Sequence, residues 1–283
     1  MTDQLTGYIP TLSDAHKKTP IGPRLETLTL LKNIQNFTLV EPFLVEKILP
    51  IVLNRLDDKP QVVESALEVG LEFISRFSIQ AFPRVIEILF REMTTESKWK
   101  AKLGSLKLLG SYVDRVENMD RDLLSACLPE LVSNVSGIVY DTKPEVAELA
   151  EEVLRKVMKG ITNRDLEPFV EDLIKAMKDR DETEETIQKL GGVVFVQTVE
   201  GSALSVVIPL MIAGLKESKS QVKRMCSRIV SNMSKLVEEP LEAKPFLCDL
   251  IPAMEYAVDT ISDPEAREVA TKTHQFLINL KEK

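Results

Sequence analysis

The stretch "KSQVKRMCSRIVSNMSKLVEEP", Lys219 to Pro240, is the part of this chain best suited to a chemistry, and that chemistry is anion binding. Five cations, Lys219, Lys223, Arg224, Arg228 and Lys235, come before the first acid, Glu238. Ammonium and guanidinium groups at this density suit phosphate oxygens, which they meet through charge-assisted hydrogen bonds. The other reading is the wetted side of an ordinary amphipathic helix. With Val222 at zero on a helical wheel, Val222, Cys226, Ile229, Val230, Met233 and Val237 cluster as one apolar stripe. Arg224, Arg228 and Lys235 fall opposite, at about 200°, 240° and 220°, so they form a line rather than a scatter. Lys98, Lys100, Lys102 and Lys107 make a second basic run, but on several faces.

Other chemistries lack their parts. No GxxxxGK[ST] or GxGxxG cradles a phosphate. His16 and His274 stand at opposite ends of the chain, where neither can serve a nucleophile or a zinc ion shared with the other. Cys127, Cys226 and Cys248 are odd in number, show no CxxC spacing and fall in apolar helical patterns, so buried reduced thiols in a reducing compartment are expected. Acidic pairs such as Asp57/Asp58 and Glu238/Glu239 sit where helices start or turn, as caps or solvated groups. "LGGVV", Leu190 to Val194, reads as a mid-helix close-packing point, and Trp99 as a packing residue at a helix start. No catalytic residue, metal site or cofactor is expected, and the chain reads as a non-enzyme.

The elements that must position those cations are helices. Of 283 residues, 44% are apolar and 28% charged, while aromatics are 5% and Gly only 11 residues, which disfavours sandwiches and barrels. The net charge of -8 argues against a surface that coats nucleic acid everywhere, though not against one basic patch. "MTDQLTGYIPTLSDAHKK" has no apolar signal core, and the longest apolar run, "VVIPLMIAGL" (Val206 to Leu215), is half of a bilayer span of about 20 residues. A soluble, cytoplasmic monomer without membrane contact is expected.

Six helical segments begin alike, each with an apolar residue four before a small one: Val62/Ala66, Ala101/Ser105, Val146/Ala150, Ile187/Gly191, Val222/Cys226 and Ala266/Ala270. The small residue lets a neighbouring helix approach closely. Successive units are 39, 45, 41, 35 and 44 residues apart. Five positions upstream stands Asp57, Glu96, Asp141, Glu182 or Glu217; in the sixth unit Ile261 replaces the acid and Asp263 is displaced by two. An acid there can cap the free amides of the helix start. A second amphipathic helix precedes each segment, usually with an early Pro that should kink it: "EKILPIVLNRL", "QAFPRVIEIL", "ACLPELVSNV", "LEPFVEDLI", "SVVIPLMIAGL" and "CDLIPAMEYAV". Two antiparallel helices per about 40 residues, stacked side by side, make an all-α, HEAT-type α-solenoid, a right-handed superhelix of helix pairs. The alternative is an irregular helical bundle. With no composition break or linker, residues 1–283 read as one domain: a degenerate capping repeat over 1–40, with Thr19 to Phe37 as its second helix, and about six pairs over 41–283.

"FVQTVEGSALSVVIPLMIAGLKESKSQVKRMCSRIVSNMSKLVEEPLEAKPFLCDLIPAM" resembles the late part of the HEAT domain of the fungal-type translation elongation factor 3 family. "SKWKAKLGSLKLLG", "VYDTKPEV" and "DPEAREV" resemble other repeats of that domain, and the likeness runs from about Glu41 onward. A related segment belongs to the ribosome-associated regulator of the amino-acid starvation kinase. The resemblance implies a ribosome-binding HEAT domain from a multidomain ATPase that acts in elongation and releases deacylated tRNA. Its ATP chemistry lies in two C-terminal cassettes, whereas this chain stops at "INLKEK". That implies a free-standing HEAT protein or an excised domain, with any ATPase a separate chain.

The expected role is a non-catalytic module of translation elongation that binds the ribosome, through rRNA and ribosomal proteins, with Lys219, Lys223, Arg224, Arg228, Lys235, Lys98, Lys100 and Lys107 as candidate contacts. The alternative is a protein scaffold that holds a helix or linear motif in a groove, where Glu64, Glu68, Glu148 and Glu152 would recruit a basic partner.

Overall fold

The structure, a computed structural model, describes residues 20–34, 37–94 and 97–282. His16, Glu96 and the stretch preceding the N-terminal helix lie outside the described residues. Among the described residues every regular element is helical. Helix α1 (Ile21–Lys32) stops short of Phe37, which instead opens the next helix, so the capping helix is shorter than its sequence pattern suggests. Six pairs follow, here written first helix (A) then second (B). The first A helix runs through α2 (Phe37–Phe43), a π-helical turn (Leu44–Ile48) and α3 (Leu49–Asn54), and its B helix is α4 (Pro60–Arg76). The others are α5 (Phe82–Glu92) with α6 (Trp99–Met119), α7 (Arg121–Ile138) with α8 (Pro144–Met158), and α9 (Val170–Lys178) with α10 (Thr183–Gly191). The last two are α11 (Gly201–Leu215) with α12 (Ser220–Ser234) and α13 (Pro240–Thr260) with α14 (Pro264–Lys281).

The chain divides into two compact units, Met1–Arg121 with Gly137–Lys156, and Asp122–Ser136 with Val157–Lys283. In the first unit α1 packs on α4 and α4 on α6, while α3 packs on α5. In the second, α10 packs on α12 and α12 on α14, while α9 packs on α11 and α11 on α13. Each unit is therefore two layers, B on B and A on A, with its core between them. The repeated apolar/small pairs supply that core: Val62, Ala66, Val146, Ala150, Ile187, Val222, Cys226, Ala266 and Ala270 are all buried. Ala101 and Gly191 are half-buried, at the less covered ends of their helices.

The prolines act differently from one pair to the next. Pro129, Pro209 and Pro252 lie inside α7, α11 and α13, where each removes one backbone hydrogen bond. Pro83 and Pro168 open helical turns instead, where the missing N–H would have had no partner, so no kink is required there. Pro50 follows the π-helical turn, a wider register in which the chain accommodates a residue that cannot donate.

The recurring acids are less often caps than the pattern suggests. Asp263 does cap α14, accepting from the Ala266 amide at 2.9 Å. Glu182, at the N-cap of α10, makes no side-chain cap to the helix that follows. Asp57 pairs with Lys98 of the next repeat, and Asp141 pairs with Lys102 at 2.7 Å. Asp58 receives Arg24 Nη1 at 2.6 and 2.5 Å, with side chains 6% and 4% exposed, and Arg55 lies 3.7 Å away. Burial pushes the Asp58 carboxyl up, but the hydrogen bonds from Arg24 and the Lys59 amide, with the charges of Arg24 and Arg55, outweigh it and hold the group below the usual carboxylate range.

Close approach is tightest at Gly214. A methyl there would lie 2.5 Å from Cys226 Sγ and closer still to Ile187 Cδ1. Gly214→Ala should lower stability by about 1–3 kcal/mol through overpacking, read as a lower urea midpoint at unchanged slope. Asp58→Asn keeps the shape but strands Arg24 in the interior, so a loss of about 3 kcal/mol is expected at pH 7. The folded pKa of Asp58 lies below its unfolded value, so this contribution is complete above the ordinary carboxylate range of about pH 4 and is lost as pH falls through the lower folded value. The stability gap between wild type and Asp58→Asn should therefore close at acid pH; a gap that widens there would contradict the assignment.

Candidate functional site

Helix α12 carries the basic stretch and is covered on three sides, by α11 along its apolar stripe and by its B-layer neighbours α10 and α14. The apolar stripe is buried from Val222 to Met233 as its spacing predicts, while Val237, past the helix end, is half-buried. A second strip, Lys223, Ser227 and Ser234, is buried too: Lys223 reaches Thr260 and Tyr256 of α13, and Thr273 Oγ1 of α14 donates to the Ser227 carbonyl at 3.3 Å. What remains open is a narrow arc, and Arg224 and Arg228 lie on it, with Lys235 just past the helix end.

Lys223 is thus a correction to the sequence reading: it is 3% exposed and faces no solvent phosphate. Its Nζ donates to Thr260 Oγ1 at 2.5 Å and lies 4.9 Å from the centre of the Tyr256 ring. Burial lowers its pKa. The other four cations are accessible. Lys219 pairs with the Glu184 carboxylate of α10 at 2.6 Å, and Arg224 reaches Glu265 of α14 at 3.9 Å, both in exposed pairs. Arg228 Nη2 donates to the Gly191 carbonyl at 2.8 Å, which leaves further N–H groups of its guanidinium unengaged. Lys235 has no partner among the described residues.

The second basic run divides similarly. Lys98 is bound to Asp57 and Lys102 to Asp141, the latter with little exposure. Lys100 is exposed beside Trp99, 5.7 Å from its ring, and Lys107 is exposed on α6. Trp99 itself is only partly covered, at 37% exposure.

Two further expectations change. Cys127 and Cys226 are buried thiols, their pKa values pushed up by burial to about 11 and about 12, but Cys248 is exposed on α13. It lines an open cavity of 770 Å³ with Pro209, Lys216, Pro252 and Tyr256. "LGGVV" is not mid-helix, because α10 ends at Gly191 after nine residues and the chain then runs without helix to Gly201. Phe195 points inward from that run, while Val194 and Val196 are 79% and 73% exposed. The helical reading hid these two valines, and their alternation about Phe195 was the available signal.

A second cavity of 720 Å³ is rimmed by Asp122, Glu200 and Glu242, with Pro129 and Phe246 in its wall. Among the described residues no cluster of three or more His, Cys, Asp or Glu could hold a metal ion, and no helix is long and apolar enough to cross a membrane.

Helix pairs of about 40 residues, stacked B on B and A on A around small residues, define a HEAT-type α-solenoid. The chain belongs to the elongation factor 3 HEAT-repeat family: the model "EF3 N-terminal HEAT repeat" matches residues 3–154 and "Elongation factor 3/GNC1 HEAT repeat" matches residues 181–283. Elongation factor 3 of Phytophthora infestans is 35% identical over 239 residues, 84% of this chain and 22% of that protein. Elongation factor 3B of Saccharomyces cerevisiae is 34% identical over 258 residues, 89% of this chain and 24% of that protein. The chain thus spans about a quarter of the length of these relatives. A designed armadillo repeat protein solved with the peptide (KR)4 aligns over 97% of this chain at 12% identity and a TM-score of 0.34.

Lys223→Met retains the aliphatic stem and removes a desolvated charge, so stability should stay within about 1 kcal/mol of wild type or rise. The same variant should leave the salt dependence of polynucleotide binding unaltered. A slope reduced by about one unit would instead place Lys223 on a phosphate.

Proposed function

We propose that this chain is a non-catalytic, cytoplasmic module of translation elongation that binds the ribosome through rRNA phosphates and ribosomal proteins. The observation that carries this reading is the accessible line of Arg224, Arg228 and Lys235 on a HEAT solenoid of the elongation factor 3 family. Charges in the other B helices at the same wheel positions are mixed or acidic, with Glu64 and Glu68 on α4 and Glu148 and Glu152 on α8. The exposed pairs at Lys219 and Arg224 are of the kind that contributes about 0–1 kcal/mol, so a phosphate can replace their carboxylates at small cost. Lys98, Lys100 and Lys107 are secondary contacts in the first unit.

A second reading, a scaffold for a basic helix or linear motif, draws on the cavity rimmed by Asp122, Glu200 and Glu242 and on the exposed acids of α4 and α8. Nuclease-treated pull-downs that retain non-ribosomal partners without ribosomal proteins would favour it.

Co-sedimentation with purified ribosomes at several salt concentrations tests the first reading. Each phosphate contact contributes about 0.7–0.9 to the slope of log K against log salt. Arg224→Ala, Arg228→Ala and Lys235→Ala together should lower the slope by about 2–3. An unchanged slope with unchanged co-sedimentation would remove these three residues from the interface.

A further inference from the structure

The cavity of 720 Å³ lies in the A layer of the second unit, among α7, α11 and α13. Its charges are of one sign. Asp122 stands in the first turn of α7, Glu200 at the N-cap of α11 and Glu242 in the first turn of α13, all three exposed. Glu242 Oε2 accepts the Gly201 amide at 2.5 Å, which leaves its other oxygen open. Asp122 and Glu200 make no hydrogen bond or ion pair among the described residues. No Lys or Arg is among the described residues that line the cavity. A helix N-terminus favours a carboxylate, but it does not bring three of them to one cavity. Their mutual repulsion is relieved by an incoming cation.

The wall adds a second observation. Ser202 is 6% exposed, and its hydroxyl has no hydrogen-bond partner among the described residues. A buried hydroxyl left unpaired is costly unless something beside it supplies the bond. Pro129 has no N–H for the Ser125 carbonyl one turn earlier, and both residues line the same cavity. The rest of the wall is largely apolar, with Ala126, Pro245 and the half-buried Phe246. Apolar walls below a carboxylate rim match a side chain with a hydrocarbon stem and a donor-rich cationic head, that of Arg or Lys.

The 770 Å³ cavity says what such a side chain is attached to. It lies between the same two helices, α11 and α13, further along both. On α13 the exposed Pro245, Asp249, Pro252 and Tyr256, three or four residues apart, lead from the first cavity to the second. Pro209, Ile212 and Lys216 of α11 line the second cavity as well. Helix α11 has 15 residues, a length of about 22 Å, which about seven extended residues span. A small polycation would occupy only the acidic end, whereas a peptide covers both.

We propose that the groove between α11 and α13 binds a peptide segment of a partner protein. Asp122, Glu200 and Glu242 hold an Arg or Lys side chain of the segment, and its apolar side chains lie on Pro209, Ile212 and Pro252. The proposal rests on the scaffold reading and moves its contact from the acids of α4 and α8 to the A layer of the second unit. The phosphate line stands on α12, in the B layer, so one surface can be filled while the other is.

Fluorescence anisotropy on the full chain tests this with labelled peptides of equal length. One carries two Arg followed by two Leu, the second has Glu for Arg, and the third has Ser for Leu. The Arg/Leu peptide should bind tightest. D122N/E200Q replaces two exposed carboxylates without partners, so circular dichroism should show the fold intact. It should weaken the Arg/Leu peptide by about tenfold or more and reduce its salt sensitivity. I212S should weaken the Arg/Leu peptide and leave the Arg/Ser peptide unchanged. Equal binding of the Arg/Leu and Glu/Leu peptides, or indifference to D122N/E200Q, overturns the proposal. Equal binding of the Arg/Leu and Arg/Ser peptides, with both displaced by spermidine, would make a small polycation the occupant and overturn it equally. E64Q/E68Q on α4 should change nothing. Loss of binding in that variant, with D122N/E200Q indifferent, would sink the groove while the scaffold reading stands. Absence of binding by every peptide sinks the groove too, and the nuclease-treated pull-down then decides the scaffold reading by itself.

Discussion

Each helix pair in this protein presents an apolar face that it cannot cover by itself. Its closure against the next pair is the constraint on which the rest of the structure depends. Closure needs close backbone approach, and approach needs side chains that give way. Leu56 sits where a Gly104 methyl would be, and Leu108 occupies the corresponding space at Gly70. At Gly214 two side chains from different helices converge on the same absent methyl. The missing side chain at each of these glycines is the mark left by packing between helices, not within one helix.

That constraint also organises the charges. Because B helices stack on B helices, their ends come side by side, and a cation on one meets an acid on the next. Asp57 with Lys98, Asp58 with Arg24, Asp141 with Lys102 and Glu184 with Lys219 are all pairs of this kind. The same stacking buries Lys223, whose Nζ is held by Thr260 Oγ1 beside the Tyr256 ring of α13. Cations that seem equivalent in sequence thus separate into a buried one, several that bridge repeats, and a short accessible line. Where the repeat is interrupted, at the early end of α10, the constraint relaxes and an extended run displays two valines instead of burying them.

Much of the architecture was legible from spacing, because a repeat near 40 residues with a small residue at each fourth position has few folded solutions. The positions of Arg224, Arg228 and Lys235 opposite the apolar stripe were legible for the same reason, as a wheel reports one helix's inner side correctly. Lys223 was misplaced among the candidate contacts because a helical wheel knows one neighbour, and α12 has three. Cys248 was misplaced likewise: its helix is apolar enough to suggest burial, but α13 turns that residue outward.

The amino-acid sequence by itself determined the helical class, the order and period of the pairs, the family, and the presence of a basic line in an acidic chain. These depend on local periodicity and side-chain type, which are properties of neighbours along the chain. The tertiary structure decided which cations reach solvent, which acids cap and which bridge, and where a helix gives way to an extended segment. Those outcomes depend on what lies across each helix, and residues some 40 positions away in the chain supply it.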